Sequence, residues 1–273
     1  MSSYLLIDGS YFIFYRIFAL TIWWKNAKPD IELKEPFHNP EFVDKFRSTF
    51  SSKIKEMIKK LNITNLQKIM VGKDCFQHDI WRKQLYPQYK YGRNEAKNIE
   101  NNVGDFFKLV YEEDLFKQAG VDSILYYPTL EADDCIALTT NYLLKYMEPF
   151  PQIYIITSDH DYLQLMHKNV HIYDCKYKLL KDSKKSFDTP QKNLFFKIVG
   201  GDKSDNIKSL FKKCGPKTIE KCYSDEKFFQ EKLEKEEGAQ ERYTLNQTLI
   251  DFQQIPNDLS CGFRDNLVSL LEF

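Results

Sequence analysis

Asp159 and Asp161 stand directly after the apolar, β-branched run "IYIIT" in the stretch "IYIITSDHDYLQLM" at 153–166. Like charges at the rim of a core raise each other's pKa and cost stability unless a cation compensates them. Other carboxylates fall at similar places. Asp8 follows "YLLI", Asp74 follows "KIMVGK", and Glu131, Asp133 and Asp134 follow "SILYY" and "PTL". Each has a structural reading: Asp8 as a turn cap beside Gly9, "EADD" as a helix N-cap with first-turn acids, Asp161 as the cap of "YLQLM". Jointly these readings leave too many like charges at one rim, and hard cations with oxygen ligands are the natural counterweight. Mg²⁺ takes few direct carboxylates and keeps several waters. So large a set suits two ions, ~4 Å apart, in the arrangement used for phosphoryl hydrolysis.

The elements that must position these acids read as an alternation. Strands are predicted at 4–7, 68–72, 123–127, 153–157 and 170–174. Between them lie helical patterns. In "NPEFVDKFRSTFSSKIKEMIKKL", Phe42, Phe46, Phe50, Ile54, Met57, Ile58 and Leu61 share one face. "DFFKLVYEEDLFKQAG" reads likewise as helix, with Gly120 as its stop. Such alternation predicts a parallel sheet covered by helices. Ligands of such sheets bind beyond the carboxyl ends of the strands, which is where all four acidic groups fall. At the start of a helix, Glu131 and Asp134 share a face and Asp133 is turned about 100° away. After about residue 190 only helical patterns remain. The expected division is an α/β core at 1–190 and an all-helical lobe at 191–273. The stretch at 21–41, with Trp23, Trp24 and three prolines, fits less well; the tryptophans either pack on the core or offer a stacking surface.

The 273 residues suit one large domain or a domain with a smaller lobe. Hydrophobic content of 42% and charged content of 29% are ordinary for a soluble protein. No apolar run approaches the ~20 residues of a membrane span, and the start does not read as a signal peptide, so an intracellular, soluble protein without a membrane partner is expected. The six cysteines form no CxxC pair, which argues against zinc fingers and for reduced thiols. Formal net charge is zero, but "WRKQLYPQYKYGR" (81–93) is basic with interleaved tyrosines and "CKYKLLKDSKK" (175–185) is basic too.

With these residues in view, "IDGSYFIFYRIFAL", "WRKQLYPQYKYGR", "LEADDCIAL", "TSDHDYLQL" and "GGDKSDNI…CGPKTIEK" resemble, in order, the motifs of the 5′-nuclease (flap endonuclease) superfamily. The resemblance is strongest to its bacterial and phage branch. It implies a PIN-like, Rossmann-like nuclease core with a helical arch at about 88–115, and a lobe containing a helix–three-turn–helix DNA-binding element. It implies Mg²⁺-dependent two-ion hydrolysis of DNA, Mn²⁺ being able to substitute, at 5′ flaps, nicks or 5′ ends, in replication, repair or recombination. RNA–DNA hybrids and other replication proteins are further expected partners. A non-catalytic junction binder of the same fold and a small-molecule phosphatase are the rivals. The first would gain nothing from uncompensated acids, and the second would not need a basic arch.

By resemblance, Asp8, Asp74, Glu131 and Asp133 match ligands of a first metal group, with Asp134 an added acid. Asp159, Asp161 and Asp205 match a second group, with Asp202 beside it. Lys90 and Arg93 match the catalytic basic pair at the base of the arch. Arg16 either contacts phosphate or makes a structural salt bridge, Arg82 is an expected DNA contact, and Tyr89 either stacks on a base or packs in the core. Lys213, Gly215, Lys217 and Thr218 fit the hairpin that grips duplex phosphate, with K⁺ as its expected ion. Here the sequence departs from the family: Lys213 replaces a hairpin glycine and Lys208-Ser209 replace Pro-Gly. If the first position needs a positive φ, lysine costs energy there.

Overall fold

The computed structural model describes residues 1–92 and 103–271. Arg93 and the middle of the expected arch lie outside the described residues. Five strands form a sheet in the order β3-β2-β1-β4-β5: β1 Ser3–Asp8, β2 Leu66–Gly72, β3 Ser123–Leu125, β4 Gln152–Ile156 and β5 Val170–Tyr173. Every pairing is parallel. The helices are α1 Gly9–Ala27, α2 Pro40–Lys60, α3 Trp81–Leu85, α4 Val103–Glu112, α5 Leu115–Gln118, α6 Ala132–Tyr146, α7 Pro190–Gly200, α8 Pro216–Ser224, α9 Glu226–Lys235, α10 Ala239–Ile250 and α11 Asn257–Leu271. Strand order reverses between β1 and β4, so their carboxyl ends open the crevice where open α/β sheets hold ligands.

Alternation along β1 divides the core. Leu5 and Ile7 join a cluster with α1, α2, α4 and α5, while Tyr4 and Leu6 join one with α6 and α11 on the other face. On α2, Phe42, Phe46, Phe50, Ile54 and Met57 are fully buried, as their spacing predicts. The segment 105–120 does not form one helix. It breaks between α4 and α5, where Asp114 takes a left-handed backbone (φ 52°). The expected stop holds, with Gly120 at φ 87°.

The first residues of the 21–41 stretch extend α1. Trp24 is buried and donates from Nε1 to the Ile31 carbonyl (3.1 Å), while Trp23 stays partly exposed under Lys45. The helical region beyond residue 190 has its own core around Val199, Phe211, Ile219, Phe229 and Leu233. Its end returns to the sheet: Phe252, Phe263 and Leu267 belong to the α6 face of the core. All six cysteines are free thiols, and among the described residues no helix is long and apolar enough to cross a membrane.

Candidate metal centre and nucleic-acid cleft

A cleft of about 800 Å³ opens at the carboxyl edge of the sheet and is lined by Asp8, Asp74, Asp133, Asp159 and Asp202, with Lys90 at its side. Close backbone packing brings these acids together. A Cβ on Gly9 would lie 2.5 Å from the Gly72 carbonyl oxygen, and one on Gly72 would lie 2.8 Å from that of Ala132. Two glycines thus let the ends of β1 and β2 and the start of α6 approach each other, carrying Asp8, Asp74 and Asp133 to one place. The Ala132 amide donates to Asp74 Oδ1 (2.9 Å), and the Ser10 hydroxyl donates to its other oxygen.

Asp8 caps α1, accepting from the Tyr11 amide (3.0 Å), and also accepts from the Thr157 hydroxyl (3.2 Å). The capping expectation is met, yet the cap does not neutralise the charge. Burial, then the nearby Asp74, pushes its carboxyl up to about 7. Burial and the adjacent Asp134 and Glu131 likewise raise Asp133 well above the carboxylate range. Among the described residues, Asp8, Asp74, Asp133 and Asp159 form no salt bridge. They are hard oxygen donors short of a counter-charge, which is the chemistry a divalent cation fits.

The other carboxylates are already paired within the protein. Glu131 is the N-cap of α6, and its amide donates to Asp134 (3.2 Å). Both face Arg82, which is 1% exposed. Its Nη1 donates to Glu131 (3.0 Å) and Asp134 (2.8 Å), its Nη2 to Asp134 (2.7 Å), and its Nε to the Leu249 carbonyl of α10 (2.7 Å). Trp81 Nε1 also donates to Asp134 (3.0 Å).

Two expectations change here. Arg82 is sealed inside and cannot reach a DNA phosphate. Asp134 anchors this arginine instead of opening on the cleft. The helical spacing forecast that Glu131 and Asp134 would share a face and Asp133 would turn away; which face meets the cleft needed the fold.

Lys90 reaches Glu131 with Nζ and lies 3.9 Å from Asp205. Its backbone is left-handed (φ 54°) and its amide donates to the Asp205 carbonyl (3.0 Å). A non-glycine residue in that region costs energy, so the surrounding contacts hold Lys90 in place. Although burial acts upward, Lys90 and Arg82 keep Glu131 below the usual glutamate range. Tyr89 is buried, its hydroxyl donating to Glu131 (3.1 Å) and Asp205 (3.3 Å), so of the two readings the core one holds and base stacking does not.

Asp161, Asp202 and Asp205 have carboxylate oxygens within 4.8 Å of one another. The sequence reading missed the cation among them. Lys197, on α7, reaches Asp161 (2.6 Å) and Asp202. The two acids respond differently. Burial and Asp159 raise Asp161 to about 7 in spite of the lysine. Asp202 falls to about 2 against the effect of burial, because Lys197 is joined by the Ser204 amide and hydroxyl, both donating at 2.7 Å. One lysine in a generic apolar helix carries no signal that it will fold back onto acids on either side of it in sequence.

Arg16 is half-buried and donates to the Thr49 hydroxyl (2.9 Å). Residues 201–215 link α7 to α8. A Cβ on Gly201 (φ 70°) would lie 2.6 Å from the Ile207 carbonyl oxygen, so this turn requires glycine. Lys213 has no positive φ, so lysine brings no backbone strain there. Gly215 caps α8, and Lys213, Gly215 and Lys217 are exposed with Thr218 half-buried.

The fold and cleft define an α/β protein with an acidic cleft at the switch point of a parallel sheet. A family model described as "5′-3′ exonuclease, N-terminal resolvase-like domain" matches residues 3–192, and the chain belongs to that family. It is similar to a 5′-3′ exonuclease of Mycoplasmopsis pulmonis (30% identical; 76% of this chain, 62% of the relative). It is also similar to the flap endonuclease Xni of Colwellia psychrerythraea (30%; 49% and 44%) and to a ribonuclease H of Enterobacteria phage T4 (28%; 78% and 74%). The chain thus spans less than two thirds of the first two relatives' lengths. Two structures share the fold: the T5 protein co-crystallised with metal ions (TM-score 0.67, 17% identical, 98% of this chain and 99% of that one), and the bacteriophage T5 flap endonuclease in a pseudo-enzyme–product complex with DNA and metal ions (0.66, 18%, 99% and 100%).

Proposed function

We propose that this chain is a structure-specific 5′-nuclease that hydrolyses DNA phosphodiesters at 5′ flaps, nicks or 5′ ends with Mg²⁺, or Mn²⁺ in its place. The observation that carries the reading is the set of four carboxylates without a salt bridge among the described residues, Asp8, Asp74, Asp133 and Asp159, converging in one cleft beside Lys90. These four would hold divalent ions. Glu131, Asp161, Asp202 and Asp205 would stand behind them, through water or through Lys90 and Lys197. When bound, the ions supply Lewis acidity toward phosphate and water.

The protein's own part is to position and to neutralise. Water adds to phosphorus, the bond to the 3′-oxygen breaks, and the products carry a 5′-phosphate and a 3′-hydroxyl. Negative charge on the phosphoryl oxygens grows on the way, and an ammonium at Lys90 stabilises it most at that point. Arg93 is proposed as its companion from the family pattern. The exposed Lys213, Gly215 and Lys217, with Thr218, are proposed to meet the duplex backbone, with K⁺ as the ion of that turn. RNA–DNA hybrid is a second substrate class to be tested beside DNA, since a phage ribonuclease H is among the similar proteins.

Labelled flap, nicked, blunt and RNA–DNA substrates, each with and without Mg²⁺, test this. Metal-dependent cleavage near the junction of duplex and 5′ strand is expected; no cleavage of any of them would overturn the reading.

A further inference from the structure

Four lysines line the cleft, and two are already committed. Lys90 is tied to Glu131 and Lys197 to Asp161 and Asp202. Among the described residues, Lys184 and Lys185 form no ion pair or hydrogen bond through their ammonium groups, and both are exposed. They sit at the two central positions of a turn closed by the Ser186 amide donating to the Ser183 carbonyl (3.1 Å).

That turn is held on three sides. The Ser186 hydroxyl also donates to the Ser183 carbonyl (2.8 Å), and Ser183 Oγ is 2.9 Å from His160 Nε2 at the cleft. On its far side the Phe187 amide donates to Asn193 Oδ1 (2.9 Å), and Asn193 Nδ2 donates back to the Phe187 carbonyl (2.9 Å). Phe187 and Phe196, also in the cleft wall, pack with ring centroids 4.0 Å apart. The result is a braced turn that carries two ammonium groups without partners among the described residues, beside an apolar patch and in a cleft whose floor is acidic.

A polyanion entering over five aspartates needs positive charge that is not consumed by the floor. We propose that the Ser183–Ser186 turn is a phosphate-binding subsite, in which Lys184 and Lys185 take backbone phosphates of the cleaved strand. The proposal rests on the nuclease reading above. It also gives a use to the basic segment 175–185, which the carboxylates and Lys90 leave unexplained.

The test uses a fluorescein-labelled 5′-flap duplex, with binding measured in Ca²⁺ and cleavage in Mg²⁺ at saturating enzyme. Lys184→Gln/Lys185→Gln should raise Kd about tenfold at low salt and flatten the salt dependence by about 1–2 in slope. Its single-turnover rate should fall less than threefold. Lys55→Gln/Lys168→Gln, two exposed lysines outside the cleft and outside the 175–185 segment, is the charge-matched control and should leave the slope alone. Neutral methylphosphonates placed one linkage at a time should weaken wild type at one or two positions to which the variant is blind. An unchanged slope, an equal loss in the control, or a fall in rate as large as the fall in affinity would overturn the subsite. Wild type that neither binds nor cuts the flap would instead remove the nuclease reading, and the subsite with it.

Discussion

Asp8 shows how one residue serves fold and site with opposite energetic signs. As the cap of α1 it stabilises; as a carboxylate at about 7, against an ordinary 3.8, it does not. Between those values the folded state holds a proton that the unfolded chain has released. The stability linked to that proton is full below about pH 4 and is lost as pH rises through about 7. Asp8→Asn keeps the cap and removes the titration. In EDTA it should match wild type near pH 4 and exceed it by about 1–2 kcal/mol at pH 8, read by urea denaturation. A variant less stable than wild type at pH 8 would mean the charge is already compensated. Arg82→Ala belongs at the opposite extreme. It strips buried Asp134 of its cationic partner, leaving the Trp81 and Glu131 N–H donors, and should cost about 3–5 kcal/mol, with Asp134→Asn in the same chain restoring part of the loss. Retained stability with weakened DNA binding would return Arg82 to the role its sequence suggested. Lys90→Ala should lower the single-turnover rate about 10²–10³-fold while Kd changes little, the scale of one preorganised transition-state donor. A wild-type rate at saturation would make Lys90 a steering charge.

Among the elements, the strands were the most legible in the sequence. Each β-branched run became a strand within a residue or two of its predicted ends, because burial on both faces of a parallel sheet admits little else. The face of α2 was legible for the same reason. What was not legible were features set by long-range geometry. The break at Asp114 needs a left-handed residue that nothing in "YEEDLF" announces. The buried role of Arg82 depends on a carbonyl from residue 249. Strand patterns located four acidic groups at the sheet edge and the resemblance added Asp202 and Asp205, but neither could divide the acids into those opening on the cleft and those held by internal cations. Gly72 is an element-scale device of the same hidden kind. Gly72→Ala would press a methyl group against the Ala132 carbonyl and drive β2 from the start of α6. It should cost about 1–3 kcal/mol and weaken divalent-ion binding measured by calorimetry, although it removes no ligand. Unaltered metal affinity would show that the convergence of Asp74 and Asp133 does not depend on this close approach.

At the scale of the whole molecule, zero net charge conceals segregation. The sheet edge collects aspartates, while lysines cluster in the segments around it and in the α7–α8 linker. The helical region is not an appendage, since α10 holds Arg82 through its Leu249 carbonyl and α11 covers one face of the core. The proposed duplex contacts at α7–α8 therefore belong to a region packed onto the core through α10 and α11. The central claim is that the unpaired carboxylates hold divalent ions for phosphodiester hydrolysis. Cleavage of a labelled 5′-flap substrate by wild type, Asp8→Ala and Asp159→Ala, in Mg²⁺ and in EDTA, with binding measured in Ca²⁺, tests it most directly. The account predicts cleavage by wild type in Mg²⁺ alone, none by either variant, and flap binding within a fewfold of wild type for both. Cleavage in excess EDTA, or by either variant at the wild-type rate, would contradict it.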